Sequence, residues 1–197
     1  MKKLLAIPFL LPVFLFAQQK KTGDFIKEFL YVKVSPTLIG VAEEPADLHS
    51  RSALTPAIYG AVGLKMRYAA VGFSTGYFKW KPARPTTPRG IDITITDFKQ
   101  KVFPVIIAQW HKAPYEGQDY WGRSSTYISG KDMYSIAAGG SIRMFKTTKM
   151  MLTWGFTKWK CNVTRTYTPR GPTNPITSYF YSKEDYKMVF LAASLVW

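Results

Sequence analysis

From Ile58 to Tyr68 the chain alternates. Ile58, Gly60, Val62, Leu64, Met66 and Tyr68 form one row, and Tyr59, Ala61, Gly63, Lys65 and Arg67 form the other. Successive side chains of an extended backbone leave opposite faces, so this period of two predicts a strand with one apolar face. The pattern recurs where Tyr134, Ile136, Ala138, Gly140, Ile142 and Met144 alternate with Ser135, Ala137, Gly139, Ser141, Arg143 and Phe145. It recurs again where Ile91, Ile93 and Ile95 alternate with Asp92, Thr94 and Thr96. After Lys20 no 3.6-residue apolar pattern is sustained and no run of 18 apolar residues occurs. The fold class expected is all-β.

A soluble sandwich also alternates, and the joints between strands separate the two cases. Strands are predicted at 26–41, 54–68, 71–81, 91–98, 102–113, 132–146, 149–163 and 179–197. The joints at Ala69-Ala70, Lys99-Gln100-Lys101 and Thr147-Thr148 are tight, whereas those at 42–53, 82–90, 114–131 and 164–178 are long. Short and long joints in strict alternation are the signature of an antiparallel up-and-down transmembrane β-barrel with short periplasmic turns and long extracellular loops. Hydrocarbon leaves no water for an unpaired sheet edge, so such a sheet must close. An eight-stranded barrel is filled by its own side chains, and no open pore is expected.

The last strand carries a further pattern. Val189, Leu191, Ala193, Leu195 and the terminal Trp197 occupy alternate positions. Here the chain resembles the small eight-stranded outer-membrane β-barrel family, porin-like in fold. The resemblance implies that this strand is the assembly signal read by the barrel assembly machinery during insertion, and that the protein resides in a Gram-negative-type outer membrane. The first 17 residues fit that destination. Lys2 and Lys3 precede the apolar run from Leu4 to Phe16, which ends at Ala17 before Gln18-Gln19-Lys20. This is the layout of a cleaved signal peptide, with residues 18–197 left as one barrel domain. The run is too short for a spanning helix and is broken by Pro8 and Pro12.

Without Lys2 and Lys3, 25 basic residues face 12 acidic ones, a formal charge of +13. The excess predicts an anionic neighbour, and for an exported chain this means lipid phosphate, acidic glycan or an acidic protein surface rather than nucleic acid. Cys161 is the sole cysteine. It has no disulfide partner in the chain, and no cysteine follows the leader to take a lipid.

Lys79-Trp80-Lys81 with Thr87-Pro88-Arg89-Gly90 returns as Lys158-Trp159-Lys160 with Thr168-Pro169-Arg170-Gly171. Gly76 and Gly155 align before the two copies, and 64–68 aligns with 140–144, so an internal duplication of four strands plus four is expected. Parity puts Phe73, Thr75, Tyr77 and Lys79 outward on strand three, and Leu152, Trp154, Phe156 and Lys158 outward on strand seven. A lysine above interfacial aromatic rings can bury its stem and reach phosphate. Lys79, Lys81, Arg89, Lys158, Lys160 and Arg170 are therefore candidate anion-binding residues, with lipopolysaccharide or an acidic glycan as ligand. Solvated loop charge kept from the duplication is the competing reading.

The periplasmic half carries Lys20, Lys21, Lys27, Lys33, Lys65, Arg67, Lys99, Lys101, Arg143, Lys146 and Lys149 against Asp24, Glu28 and Asp97. Inner-leaflet phosphates or an acidic outer-membrane or periplasmic protein partner would suit it. Lys33, Lys65, Arg67 and Arg143 point into the lumen by parity, whereas the lumenal carboxylate Asp92 is expected near the opposite end. Unpaired buried charge is costly, so either water enters the lower barrel or a strand bulges. Pro104, unable to donate to a ladder, makes strand five the expected place, and Val102-Phe103-Pro104-Val105-Ile106-Ile107 does not choose a face.

Enzyme chemistry has little support. His49 and His111 lack the histidine-x-serine spacing that a resemblance to lipid A deacylases requires, leaving only a loose His111, Glu116 and Ser124 set. Cys161, His111 and Asp119 have no metal-ligand spacing. No catalytic residue, metal or cofactor is assigned. The expected role is a non-enzymatic envelope-structural barrel or small subunit of a larger outer-membrane assembly, with the anion-binding module as the alternative and a lipid-modifying enzyme behind both.

Overall fold

A computed structural model of the chain describes residues 28–43, 54–79, 85–121, 124–167 and 177–197. The leader, Trp80, Lys81, His49 and Arg170 lie outside them. Eight antiparallel strands form the wall: β1 Leu30–Glu43, β2 Thr55–Lys65, β3 Ala69–Lys79, β4 Arg89–Ile95, β5 Val102–Trp121, β6 Ser124–Arg143, β7 Lys149–Tyr167 and β8 Ser178–Val196. A two-residue bridge, Pro85–Thr86, pairs with the end of β3. Each strand pairs with the next, and β8 pairs with β1, closing the ring. At the seam the Trp197 N–H donates to the Val32 carbonyl at 2.9 Å.

The wall has the polarity that the alternation predicts. Leu38, Val62, Phe73, Ile95, Ile106, Ile136, Leu152, Trp154 and Leu191, distributed over all eight strands, are exposed on the outside. Phe73, in mid-strand, is 83 % exposed, and with these neighbours it belongs to an apolar belt larger than water-soluble proteins expose. Ser35, Thr37, Ser74, Thr94, Ser135, Thr153, Thr157 and Ser194 are buried inside. Apolar outside and polar inside is the arrangement for a sheet immersed in hydrocarbon.

Two strand expectations are corrected. The segment 114–131 is not a loop: β5 and β6 continue as a paired ribbon to Trp121 and Ser124. Likewise β7 and β8 stay paired up to Tyr167 and Ser178. The wall is therefore lopsided, with β5 to β8 at 19 or 20 residues and β2 to β4 at 7 to 11. The irregularity in β5 is also not at Pro104. It lies at Lys112/Tyr115, opposite Gly130/Met133 on β6. Pro104 faces outward, with Val105 and Ile107 buried inside. The Arg143 N–H donates to the Lys101 carbonyl, which sets the hydrogen-bonded parity of this pair and turns the Pro104 nitrogen away from β6. On that other side β4 has already ended at Ile95, which pairs with Ile106, so no ladder bond is lost.

The register also fixes the stagger. Along one hydrogen-bonding row Tyr31 leads to Gly63, Gly72, Asp92, Gln109, Ser135, Thr157, Met188 and then Val41, ten residues beyond the start. Strands in such a barrel are steeply tilted. Residues on one row therefore meet across the lumen even where their positions along their own strands differ.

Candidate functional site

The lumen is built in three layers. At mid-height Tyr31 and Asp92 share the row just traced, and the Tyr31 hydroxyl donates to Asp92 Oδ1 at 2.8 Å and meets Thr94 Oγ1 at 2.9 Å. Lys33 donates to Asp92 Oδ2, and so does Gln109 Nε2 at 2.6 Å. Both charged groups are fully buried. The expectation that Asp92 sits far from the lumenal lysines is thus overturned. Asp92 is the central residue of the seven-residue β4, and the stagger brings it to Lys33. A cavity of about 20 Å³ beside this clasp is bordered by Lys33, Gln109, Ser135 and Thr157.

Above the clasp, His111 is buried, with Nε2 at 2.7 Å from Ser74 Oγ and its ring 5.7 Å from that of Tyr59. Higher still, Phe78, Met133, Trp159, Cys161, Tyr186 and Met188 pack into one apolar cluster across the barrel. Trp159 meets Phe78 edge-on at 5.8 Å and Tyr186 at 6.1 Å between ring centroids. Gly130 permits this packing, because a Cβ there would run into the Trp159 ring. Among the described residues no group of three or more His, Cys, Asp or Glu is placed to hold a metal.

The periplasmic end is a basic mouth. Asp97, in the turn between β4 and β5, accepts N–H bonds from Lys99 at 2.7 Å and Gln100 at 3.3 Å, and lies 3.7 Å from Arg67. Burial opposes ionisation of Asp97. The two N–H groups and the charges of Arg67 and Lys149 outweigh it and hold the carboxyl below the usual carboxylate range. Lys149, on the inward parity of β7 but not among the lumenal cations expected from the sequence, is buried and donates to the Asp97 carbonyl. Arg143 donates to the Phe98 carbonyl at 2.8 Å and to that of Lys99. Lys65 is half-buried beside them. Arg67 is corrected from lumen to rim. It belongs to the turn after β2, is 55 % exposed, and stands 4.8 Å above the Tyr68 ring.

On the outer wall the first lysines of the two Lys-Trp-Lys copies do not come together. Lys79 ends β3 and Lys158 lies on β7, four strands away in a ring of eight, hence on the opposite wall. Trp159 points inward. Lys158 pairs with Asp185 at 2.6 Å, and Lys160 lies 5.4 Å from the centre of the Tyr134 ring. Arg89 is exposed at the top of β4, paired in register with Lys112. Below Lys158 and Lys187, a groove of about 410 Å³ runs over Tyr134, Ile136 and Phe156. The alternate residues Val189, Leu191, Ala193, Leu195 and Trp197 all face outward along β8.

No protein-family model and no curated protein matches the sequence. Among solved structures the chain is similar to Neisserial surface protein A, with 12 % identity over 85 % of this chain and 95 % of that one, at a TM-score of 0.52. It is also similar to the N-terminal β-barrel domain of Pseudomonas aeruginosa OprF, with 11 % identity over 85 % and 97 %, at a TM-score of 0.46. At this identity the likeness to Neisserial surface protein A is one of fold alone. The chain has the fold of a small outer-membrane β-barrel.

Proposed function

We propose that the protein is a non-enzymatic component of a Gram-negative-type outer membrane, serving as a small structural subunit of a larger assembly. The observation that carries this reading is the tall side of the wall. β7 runs nine residues past Lys158, roughly 20 Å above the lipid-facing belt at about 3.3 Å per residue along a tilted strand. Tyr127, Tyr179 and Tyr181 stand exposed on the outside of this ribbon, Tyr181 at 78 %, beyond the reach of acyl chains. Exposed aromatic residues on a rigid two-faced ribbon suit a protein partner. His111, the one histidine among the described residues, is enclosed against Ser74, which favours a structural role for it over work on an external substrate. A photocrosslinker at Tyr181 is expected to trap one discrete outer-membrane protein, and Tyr181→Ser with Tyr179→Ser to release it. Crosslinks to lipid alone would remove this reading.

The groove supports a second reading. Apolar side chains with Lys158 and Lys187 at their head suit an acyl chain beneath an anionic phosphate, as in lipopolysaccharide. Each wall would then hold its own ligand. Changing Lys158 and Lys160 to Gln, with Lys79 and Lys81, is expected to weaken lipopolysaccharide retention and its salt sensitivity; unchanged retention counts against it.

A further inference from the structure

The three tight turns and both ends of the described chain converge at the periplasmic mouth around a cavity of about 350 Å³. Its lining includes Lys65, Arg67, Lys99, Arg143, Lys146 and Lys149, with Glu28 its one acidic side chain and the main-chain carboxylate of Trp197 also in the lining. Asp97 stands behind, engaged with Arg67. Arg143 and Lys149 have their hydrogen bonds met by backbone carbonyls, which orient a cation without cancelling its charge. Lys65, Lys99 and Lys146 have no ion-pair partner among the described residues. Both Arg143 bonds leave from Nη2, so Nη1 and Nε remain for a ligand. Phe98, edge-on to Tyr31 at 6.4 Å between ring centroids, separates this space from the clasp.

The cations of this lining outnumber its anions, and like charges around one open mouth repel unless a further anion joins them. The volume has room for roughly ten waters at their liquid share, and so for a phosphate group with part of its substituent. Exposed Tyr68, Phe145 and Trp197 ring the mouth, and amphipathic rings settle at the headgroup level. We propose that the periplasmic mouth is a binding site for a phosphate-bearing anion. Arg143, Lys65 and Lys146 make the direct contacts, and Lys149 fixes the turn that presents them.

The probe is inorganic pyrophosphate, titrated into the refolded barrel in phosphatidylcholine nanodiscs and followed by amide resonances. Shifts are expected at 65–67, 98–99 and 143–149. Lys65→Gln with Lys146→Gln is expected to weaken binding roughly tenfold or more, whereas Lys131→Gln with Lys183→Gln, on the tall wall, leaves it unchanged. If the double variant does not refold, Lys146→Gln alone, in an exposed turn, is expected to lower affinity several-fold. If the natural source is a lipid headgroup, phosphatidylglycerol nanodiscs shift the same amides unaided and weaken pyrophosphate binding by competition. If it is a soluble phosphate, affinity is equal in both membranes. Equal affinity of the mouth variants and the parent, or shifts spread over the outer wall instead of the turns, overturns the proposal.

Discussion

At the scale of single residues, the interior depends on charges held where water does not reach. Lys33 and Asp92 are both fully buried, and Tyr31 and Gln109 complete the carboxylate's hydrogen bonding. Removing one member of such a pair leaves an uncompensated charge, so Lys33→Met is expected to cost about 3–5 kcal/mol. Lys33→Met with Asp92→Asn, which strands no charge, is expected to cost less; urea unfolding in lipid vesicles measures both. Asp97 contributes to the response to acid. Its carboxyl is held below the usual range, so its contribution is fully present above the unfolded value of about 3.9 and is lost as pH falls through the lower folded value. The urea midpoint is expected to be flat from about pH 7 to 5 and to fall below about pH 4, with a shallower fall for Asp97→Asn. Lys33 was legible as lumenal from parity alone. Its pairing with the lumenal Asp92 was not, since Asp92 is 59 residues away and only the stagger brings the two together.

At the scale of elements, what could be read in the sequence tracks what the bilayer touches. The outward rows of β2, β4 and β7 were visible because lipid on one side and lumen on the other demand opposite chemistry of neighbouring residues. The upper halves of β5 and β6 were not visible. Ser124 to Gly130 is polar apart from Tyr127, Ile128 and Gly130, so no sustained apolar row marks it, and its polar residues read as a loop. Position on the lipid face carries a measurable cost. Leu191, outward on β8 and 49 % exposed, is expected to lose about 2–4 kcal/mol as Leu191→Arg if it lies near the bilayer midplane, by the same unfolding assay. Ser194, inward on the same strand and bonded to Ser35 Oγ at 2.7 Å, is expected to lose only about 1 kcal/mol as Ser194→Ala.

At the scale of the whole molecule, the lumen is closed twice, by the Lys33–Asp92 clasp and by the aromatic cluster around Trp159. Purified protein in planar bilayers is expected to show no conductance steps, and Trp159→Ala to show none either, because the clasp remains; regular steps in the parent would contradict this account of the interior. By itself the sequence determined the strand number, the lipid-facing rows of β2, β4 and β7 and the tight turns at one end, because these follow from neighbours along one chain. Only the tertiary structure decided which lumenal charges pair, how high the ribbon rises and which cations share the mouth. Those depend on a stagger of ten residues per circuit, and no strand carries that quantity in its own sequence.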